Sequence, residues 1–186
     1  MDVFAHTLWT NVVFYKKYRL EKLNRFIAVV FGLLPDLFSF APVFIYSFVT
    51  RTDFFELIGK RVWVVQYASE SYNYTHSIVV FAVVVSVVAI IRSIIYTLKT
   101  DGRQKIVYSK LVYWPMWGWL LHILIDIPTR RGFYETPFLF PLSGYQFSHG
   151  ISWSHPVFMI INYGALAAIY IFWFLVLRKQ NKPKTP

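Results

Sequence analysis

One long apolar stretch limits the folds open to this chain more than any other feature. Between residues 78 and 91 the only polar side chain is Ser86, and the apolar character resumes after Arg92 and continues to residue 98. About 20 such residues cross the hydrocarbon core of a bilayer as a helix. A valine-rich run can also form a buried strand, but this length favours a membrane helix.

Three further stretches extend this pattern to a bundle. Residues 26–49, 111–127 and 157–177 are predicted to span as well. In the whole chain 56% of residues are hydrophobic and 15% are charged, whereas a soluble domain has roughly 25% charged residues. Residues 2–15 are too short to span, and residues 50–74 have an amphipathic pattern. We predict an all-α fold, a polytopic membrane helical bundle of about four transmembrane helices plus a partly inserted N-terminal helix and an interfacial helix.

The basic residues predict how this bundle is oriented. Lys and Arg number five in residues 16–25, four in residues 99–110 and four in the C-terminal segment, against five in the alternating loops. Cytoplasmic loops carry such an excess. The pattern predicts a multi-pass protein of the inner (plasma) membrane with a cytoplasmic C-terminus. Residues 1–177 then form one membrane-embedded domain and residues 178–186 a basic tail, and the net charge of +10 needs no nucleic-acid partner.

Against this apolar background, a histidine and a carboxylate stand four residues apart. His122 and Asp126 share one face if residues 111–127 are helical. A neutral imidazole and a carboxylate are common ligands of divalent metals, and ionisable side chains inside a membrane are costly and tend to be functional. The pair therefore predicts one side of a metal site.

Other segments can supply the remaining ligands. Asp36 follows Pro35, where we expect a helix break, and broken backbone at membrane depth is tolerated when it lines a polar cavity. At about 1.5 Å per residue, His6 and Asp36 lie about 15 Å from the cytoplasmic face, His122 about 18 Å and Asp126 about 24 Å. The chain has no cysteine, so His and carboxylate side chains are the candidates. The predicted ligands are His6, Asp36, His76, His122 and Asp126.

Each of these residues also has a simpler explanation. A lone His6 or His76 is more often a packed, hydrogen-bonded side chain, Asp36 can cap a helix, and the pair on the third predicted span can join helices as polar groups. Together they favour a divalent ion, because one ion would partner every buried group. Arg130 and Arg131 can hold an anionic head group or anchor the interface. His149 and His155 can line an entrance, although a place in the head-group region is favoured.

The ordered motifs resemble the YdjM-like, LexA-regulated, membrane-bound metal-dependent hydrolases, and more distantly the zinc-dependent phospholipases C. The motifs are His6-Thr7, Gly32-Leu33-Leu34-Pro35-Asp36, Thr75-His76-Ser77, and His122-Ile123-Leu124-Ile125-Asp126 with Thr129-Arg130-Arg131-Gly132 and Phe140-Pro141. Two departures concern the number of metals: Phe38 replaces the family's second acid, and Ser71-Tyr72-Asn73-Tyr74 replaces its His-Arg-Gly-Phe.

The resemblance implies a hydrolase that acts on a membrane lipid or a lipid-linked ester or phosphoester. Zn²⁺ is the expected ion, held by His122, Asp126, His76 and Asp36, with His6 as a fifth or second-site ligand. The ion would lower the pKa of a bound water toward about 7. Asp36, His76 and Asp126 are the predicted catalytic residues.

Two other functions stay open. A non-catalytic membrane protein could use the same residues for a structural ion or a polar cluster. A small metal or proton transporter could use them as relay groups, although the small size and the lack of two similar halves count against it.

Overall fold

The described part of the chain is mostly helical. The computed structural model describes residues 1–15, 20–58, 60, 62–100, 111–132 and 135–180, and no strand occurs among them. The prediction of an all-α fold is therefore confirmed. The helices are α1 (Val3–Tyr15), α2 (Lys22–Thr50), α3 (Phe54–Ile58), α4 (Trp63–Thr75), α5 (Ile78–Thr100), α6 (Trp117–Thr129) and α7 (Pro156–Gln180), and a 3₁₀ turn (Trp114–Met116) precedes α6.

Three of these helices are long and apolar enough to cross a membrane. They are α2, α5 and the Pro156–Val176 part of α7, so the membrane character is confirmed by length and composition. The fourth predicted span is not confirmed. Pro115 lies in the 3₁₀ turn, and α6 has 13 residues, which give about 20 Å of helix against a hydrocarbon core of about 30 Å.

Helix α2 is the central element, and it continues through Pro35 and Pro42. The predicted break at Pro35 is therefore wrong. A proline at position 35 removes the backbone donor that would serve the Phe31 carbonyl. Helix α2 packs against α1, α4 and α6, and this packing outweighs one lost hydrogen bond. On either side of the proline the Ser39 hydroxyl donates to the Pro35 carbonyl at 3.0 Å, and His122 donates from α6 to the Gly32 carbonyl at 2.7 Å.

The backbones of α2 and α6 touch because both contact surfaces carry small residues. A Cβ atom added at Gly118 would overlap the carbonyl oxygen of Ala28, so no larger residue fits there. Ala28 and Gly32 are four apart on the facing helix, the spacing of small residues that lets membrane helices approach closely. This contact sets the two helices parallel, with His122 beside Gly32.

Helix α4 packs against the second half of α2. Val64, Ala68 and Tyr72 recur every four residues and bury one face against Phe40 and Val43. Residues 50–74 therefore contain two helices, α3 and α4, rather than the single interfacial helix that the amphipathic pattern predicts. The apolar face of α4 is covered by protein.

Helix α7 lies along the N-terminal helix through polar contacts. Trp9 Nε1 donates to Asn162 Oδ1 at 2.8 Å, and Asn11 Nδ2 donates to the Tyr170 hydroxyl at 2.8 Å. These pairs show that α1 and α7 run in the same direction. The helix predicted over residues 2–15 is α1, packed against α2, α6 and α7, and its partial insertion stays a prediction.

Parts of the predicted basic segments 16–25, 99–110 and 178–186 lie outside the described residues. These parts are residues 16–19, 101–110 and 181–186, and they hold most of the Lys and Arg residues that predict the orientation. Residues 178–180 of the predicted tail continue α7 as helix.

Candidate metal centre

Side chains from three helices meet at one buried point beside the middle of α2. Asp36 comes from α2, His76 from the residue that ends α4, and His122 and Asp126 from consecutive turns of α6. Each offers a ligand atom within 4.8 Å of the other three, and each residue is at most 2% exposed. The structure therefore brings together four of the five predicted ligands, including the pair predicted from its four-residue spacing.

The distances between these atoms fit a single four-coordinate ion. The two Nε2 atoms of His76 and His122 are 3.1 Å apart. Oδ2 of Asp126 is 3.4 Å from the first and 3.3 Å from the second, and Oδ1 of Asp36 is 3.5 Å and 3.8 Å from them. Ligand bonds of 2.0–2.1 Å around a tetrahedral zinc ion place ligand atoms about 3.3 Å apart.

Hydrogen bonds on the far side of each ring fix which nitrogen faces the cluster. His122 Nδ1 meets a backbone carbonyl, that of Gly32, so it must carry the proton. His76 Nδ1 is 2.9 Å from the Thr75 hydroxyl oxygen and 3.2 Å from the Tyr72 carbonyl. The Thr75 hydroxyl donates to the Ser71 carbonyl, so His76 Nδ1 must also donate. In neutral rings both Nε2 atoms then present lone pairs.

This donor set is suited to a divalent ion. Two lone pairs only 3.1 Å apart repel each other, and a cation between them removes the repulsion. Oδ2 of Asp36 is buried and has no hydrogen-bond partner among the described residues. Imidazole and carboxylate together fit zinc and also manganese or iron, so the donors support a metal site without selecting one metal.

His6, the fifth predicted ligand, lies beside the four. Its Nε2 is 2.8 Å from Oδ1 of Asp126, and its ring stacks on that of His122 at a centroid distance of 3.7 Å. Because a carboxylate accepts, Nε2 of His6 donates and so orients Asp126. Its role as a metal ligand stays a prediction.

Two cations face the two carboxylates. Arg130 donates from Nε to Oδ2 of Asp126 at 2.9 Å and from Nη2 to Oδ1 of Asp36 at 2.6 Å. The amino group of Met1 contacts Oδ1 of Asp126 and donates to the Thr129 hydroxyl at 3.1 Å. A carboxylate oxygen has two lone pairs, so these bonds leave acceptor capacity for an ion.

The sequence alone did not identify Arg130 as part of the site. It is 6% exposed, whereas Arg131 is exposed, so only Arg131 is available at the surface for an anionic head group. An acid followed four residues later by a base shares a helix face. The Asp126–Arg130 spacing is therefore the signal that could have revealed this contact.

Three other residues raised by the sequence lie outside the cluster. His149 and His155 are both exposed. Phe38, which stands where the resembled family has a second acid, is 57% exposed. An acid at that position would face away from the four ligands, so the replacement by phenylalanine does not remove a ligand from this site.

The cluster lies near one end of α5 and of α7. Helix α5 begins two residues after His76, and farther along it the Arg92 guanidinium lies 5.4 Å from the ring of Tyr113, ahead of α6. The backbone N–H of Trp153 donates to the Thr129 carbonyl at 2.9 Å, and α7 begins three residues later. Both helices therefore start beside the cluster and run away from it.

No family model, no curated protein and no solved structure matches this chain. The resemblance to the YdjM-like hydrolases therefore stays a prediction that rests on the motifs alone. The geometry of the cluster is the basis for any functional conclusion.

Proposed function

We propose that this protein is a membrane-embedded metal-dependent hydrolase that acts on a lipid or a lipid-linked ester or phosphoester. The observation that carries the proposal is the spacing of four ligand atoms, two imidazole Nε2 atoms and two carboxylate oxygens, which lie 3.1–3.8 Å apart in the five measured pairs. Zinc is the metal we expect, because tetrahedral sites of nitrogen and oxygen ligands favour it. The ligands would be Asp36, His76, His122 and Asp126.

A bound divalent ion would supply Lewis acidity and an activated water for hydrolysis. The surrounding side chains have roles of their own. Arg130 holds one oxygen of Asp36 and one of Asp126, which fixes both carboxylates. The second oxygen of Asp36 has no partner among the described residues and can take a proton from an attacking water as general base. His6 fixes the other oxygen of Asp126.

The position of the site supports a lipid substrate. The cluster lies where α5 and α7 begin, and both helices expose large apolar side chains along their length. If these helices cross a bilayer, their ends lie at the polar interface, where lipid head groups meet hydrocarbon. With a cytoplasmic C-terminus, as the basic segments predict, the site faces the opposite side of the membrane.

One observation favours a second candidate, a non-catalytic polar cluster. The Arg130 guanidinium and the Met1 amino group already balance the charges of Asp36 and Asp126. Such a network can join helices without any ion. The two candidates differ in metal content and in what a single neutral substitution does.

Elemental analysis of the detergent-purified protein tests the proposal. We expect about one zinc or manganese ion per chain, lost in the His122→Ala/Asp126→Ala double variant. The matched control is His149→Ala/His155→Ala, which removes two exposed histidines and should retain the metal. Wild-type protein that stays free of metal after supplementation with zinc and manganese would overturn the proposal.

Asp126→Asn separates the candidates by activity and stability. In a hydrolase this variant should remain folded and lose turnover of ester or phosphoester lipids. In a polar cluster without an ion it should change the unfolding temperature, while no hydrolysis is found in either protein.

A further inference from the structure

A groove between α1, α6 and α7 leads from the cluster along the apolar side of the bundle. It is an open groove with a volume of about 460 Å³, within the range of about 300–1,000 Å³ typical of small-molecule sites. Met1 and Thr129 also line it, and the Met1 amino group contacts Asp126 of the cluster. Its apolar walls include Trp9, Val13, Ile125, Phe158, Ile161 and Ala165.

One polar side chain stands in this apolar lining with an unused donor. Asn162 lines the groove and is 6% exposed. Its Oδ1 accepts the indole N–H of Trp9 at 2.8 Å, which fixes the orientation of the amide. The Nδ2 atom of Asn162 then has no hydrogen-bond partner among the described residues. A buried donor without a partner is costly, and hydrocarbon offers no acceptor.

The ester carbonyl of a lipid is an acceptor of the kind that this donor lacks. Asn162 follows Pro156 by six residues, so it lies about 9 Å along α7 from the end where the cluster is found. The ester carbonyls of a glycerolipid lie between its polar head group and its acyl chains. A lipid with its polar end at the cluster would therefore bring a carbonyl to the donor and an acyl chain to the apolar walls.

We propose that the groove binds an acyl chain of the lipid substrate and that Asn162 Nδ2 donates a hydrogen bond to its ester carbonyl. This inference rests on the proposed function, because it names the substrate of the same site as an acyl ester lipid. It assigns Asn162 to substrate binding rather than to chemistry.

The ester carbonyl can be tested by comparing two lipids. Native mass spectrometry of the purified full chain titrated with dioleoyl phosphatidylglycerol, and with its dialkyl ether analogue, gives an apparent Kd for each. We expect the ester lipid to bind about fivefold more tightly, as one buried neutral hydrogen bond predicts. Asn162→Leu should remove this preference and leave the binding of the ether lipid unchanged.

Asn11→Leu is the control for this change. It removes another hydrogen bond between α1 and α7, that to the Tyr170 hydroxyl, at a residue outside the groove lining, so the preference for the ester lipid should persist. A wild type without preference, or an Asn162→Leu variant that weakens both lipids equally, would overturn the assignment of Asn162.

The groove itself is tested by filling it. Ala165 lines the groove, whereas Ala168 is an exposed residue of the same helix outside the lining. We expect Ala165→Trp to raise the apparent Kd of both lipids at least about tenfold, because the indole occupies the space of the chain. Ala168→Trp should change it less than about twofold. Equal binding by the two variants would place the lipid elsewhere and overturn the inference.

Metal analysis of the same preparations separates the two proposals. If the Ala165→Trp effect and the ester preference appear in protein without metal, the groove stands as a lipid site and the hydrolase proposal fails. If the wild type holds metal and hydrolyses lipid while Ala165→Trp binds as the wild type does, the groove inference alone fails.

Discussion

The central helix and the two other long helices are similar in length and apolar character but differ in what covers them. In the most apolar window of α2, 39% of residues are buried, against 6% in α5 and 11% in α7. Three shorter helices pack against α2 and have 13 residues each, namely α1, α4 and α6. The ionisable groups of the cluster therefore lie among helices that cover one another, while α5 and α7 present most of their surface outward.

The largest loss of stability is expected from removing the buried cation Arg130, which lies among the helices that cover one another. In Arg130→Met, the carboxylates of Asp36 and Asp126 lose the guanidinium that binds both. Breaking a buried ion pair costs about 3–5 kcal/mol. Thermal unfolding in detergent should show this loss for Arg130→Met.

The neighbouring residue provides the control for that variant. Arg131 is exposed, and Arg131→Met should stay within about 0.5 kcal/mol of the wild type. Equal unfolding temperatures for the two variants would show that the ion pairs of Arg130 with Asp36 and Asp126 do not stabilise the fold. Added zinc should restore part of the stability of Arg130→Met if the four ligands hold an ion.

Two glycines compare the covered and uncovered helices directly. A Cβ atom at Gly118 of α6 overlaps the carbonyl of Ala28, while a Cβ atom at Gly164 of α7 meets nothing within 4 Å. We expect Gly118→Ala to lower the free energy of unfolding by about 3 kcal/mol, because backbone cannot yield as a side chain can. Gly164→Ala should be neutral or stabilising by up to about 1 kcal/mol. A similar unfolding temperature for both variants would contradict the close contact of α2 and α6.

Metal removal sharpens the comparison in the site itself. An ion present at 100 times its Kd adds about 2.7 kcal/mol to the folded state. A chelator should therefore lower the unfolding temperature of the wild type, and zinc should restore it. The exposed-histidine variant His149→Ala should behave as the wild type does. His76→Ala should respond to neither addition, and a full response would exclude His76 as a ligand.

The smallest effect on stability is expected at Glu21, where the start of α2 contacts the 3₁₀ turn before α6. Asn24 Nδ2 and Trp114 Nε1 both donate to Glu21 Oε2 at 2.9 Å. These two hydrogen bonds hold the pKa of Glu21 below its usual value, and the bond from Asn24 has the larger effect. Because the pKa is lower in the folded state, this stabilisation is present at neutral pH and is lost as the pH falls through the folded-state pKa.

Unfolding temperatures measured during acidification check this point. Glu21→Gln should show a smaller decrease than the wild type in that pH window. Glu70→Gln, which changes an exposed acid of α4, is the matched control and should follow the wild type. A Glu21→Gln curve that overlays the wild type would mean that the hydrogen bonds at Glu21 add nothing measurable.

Much of the site was predictable because its signals are local. The positions of His122 and Asp126 follow from helical geometry, in which residues four apart share a face. Asp36 and His76 stood out because ionisable groups are rare in apolar segments. The approach of α2 to α6 also had a signal, the small residues Ala28 and Gly32 four apart.

The parts that were missed, wrong or not confirmed depend on contacts between distant segments. Hydropathy cannot distinguish a spanning helix from one such as α6, which is short because a 3₁₀ turn holds Pro115. The continuity of α2 through Pro35 depends on its packing against α1, α4 and α6, which the local sequence does not reveal. The contact of the Met1 amino group with Asp126 has no sequence signal. It requires α1 to pack against α6 with one particular rotation about its own axis.

The histidines of the cluster are held through the main chain, and this affects how the protein can change over generations. His122 is oriented by the carbonyl of Gly32, and the carbonyl of Tyr72 accepts from His76. Every residue has a carbonyl, so these acceptors place no demand on the chemistry of the side chains at positions 32 and 72. The demand is on size, because a Cβ atom at Gly32 would overlap the Thr10 hydroxyl and the side chain of Tyr72 is buried against Phe40. The histidines therefore restrict the volume of their neighbours, while the carboxylates restrict the charge and hydrogen bonding of Arg130 and His6.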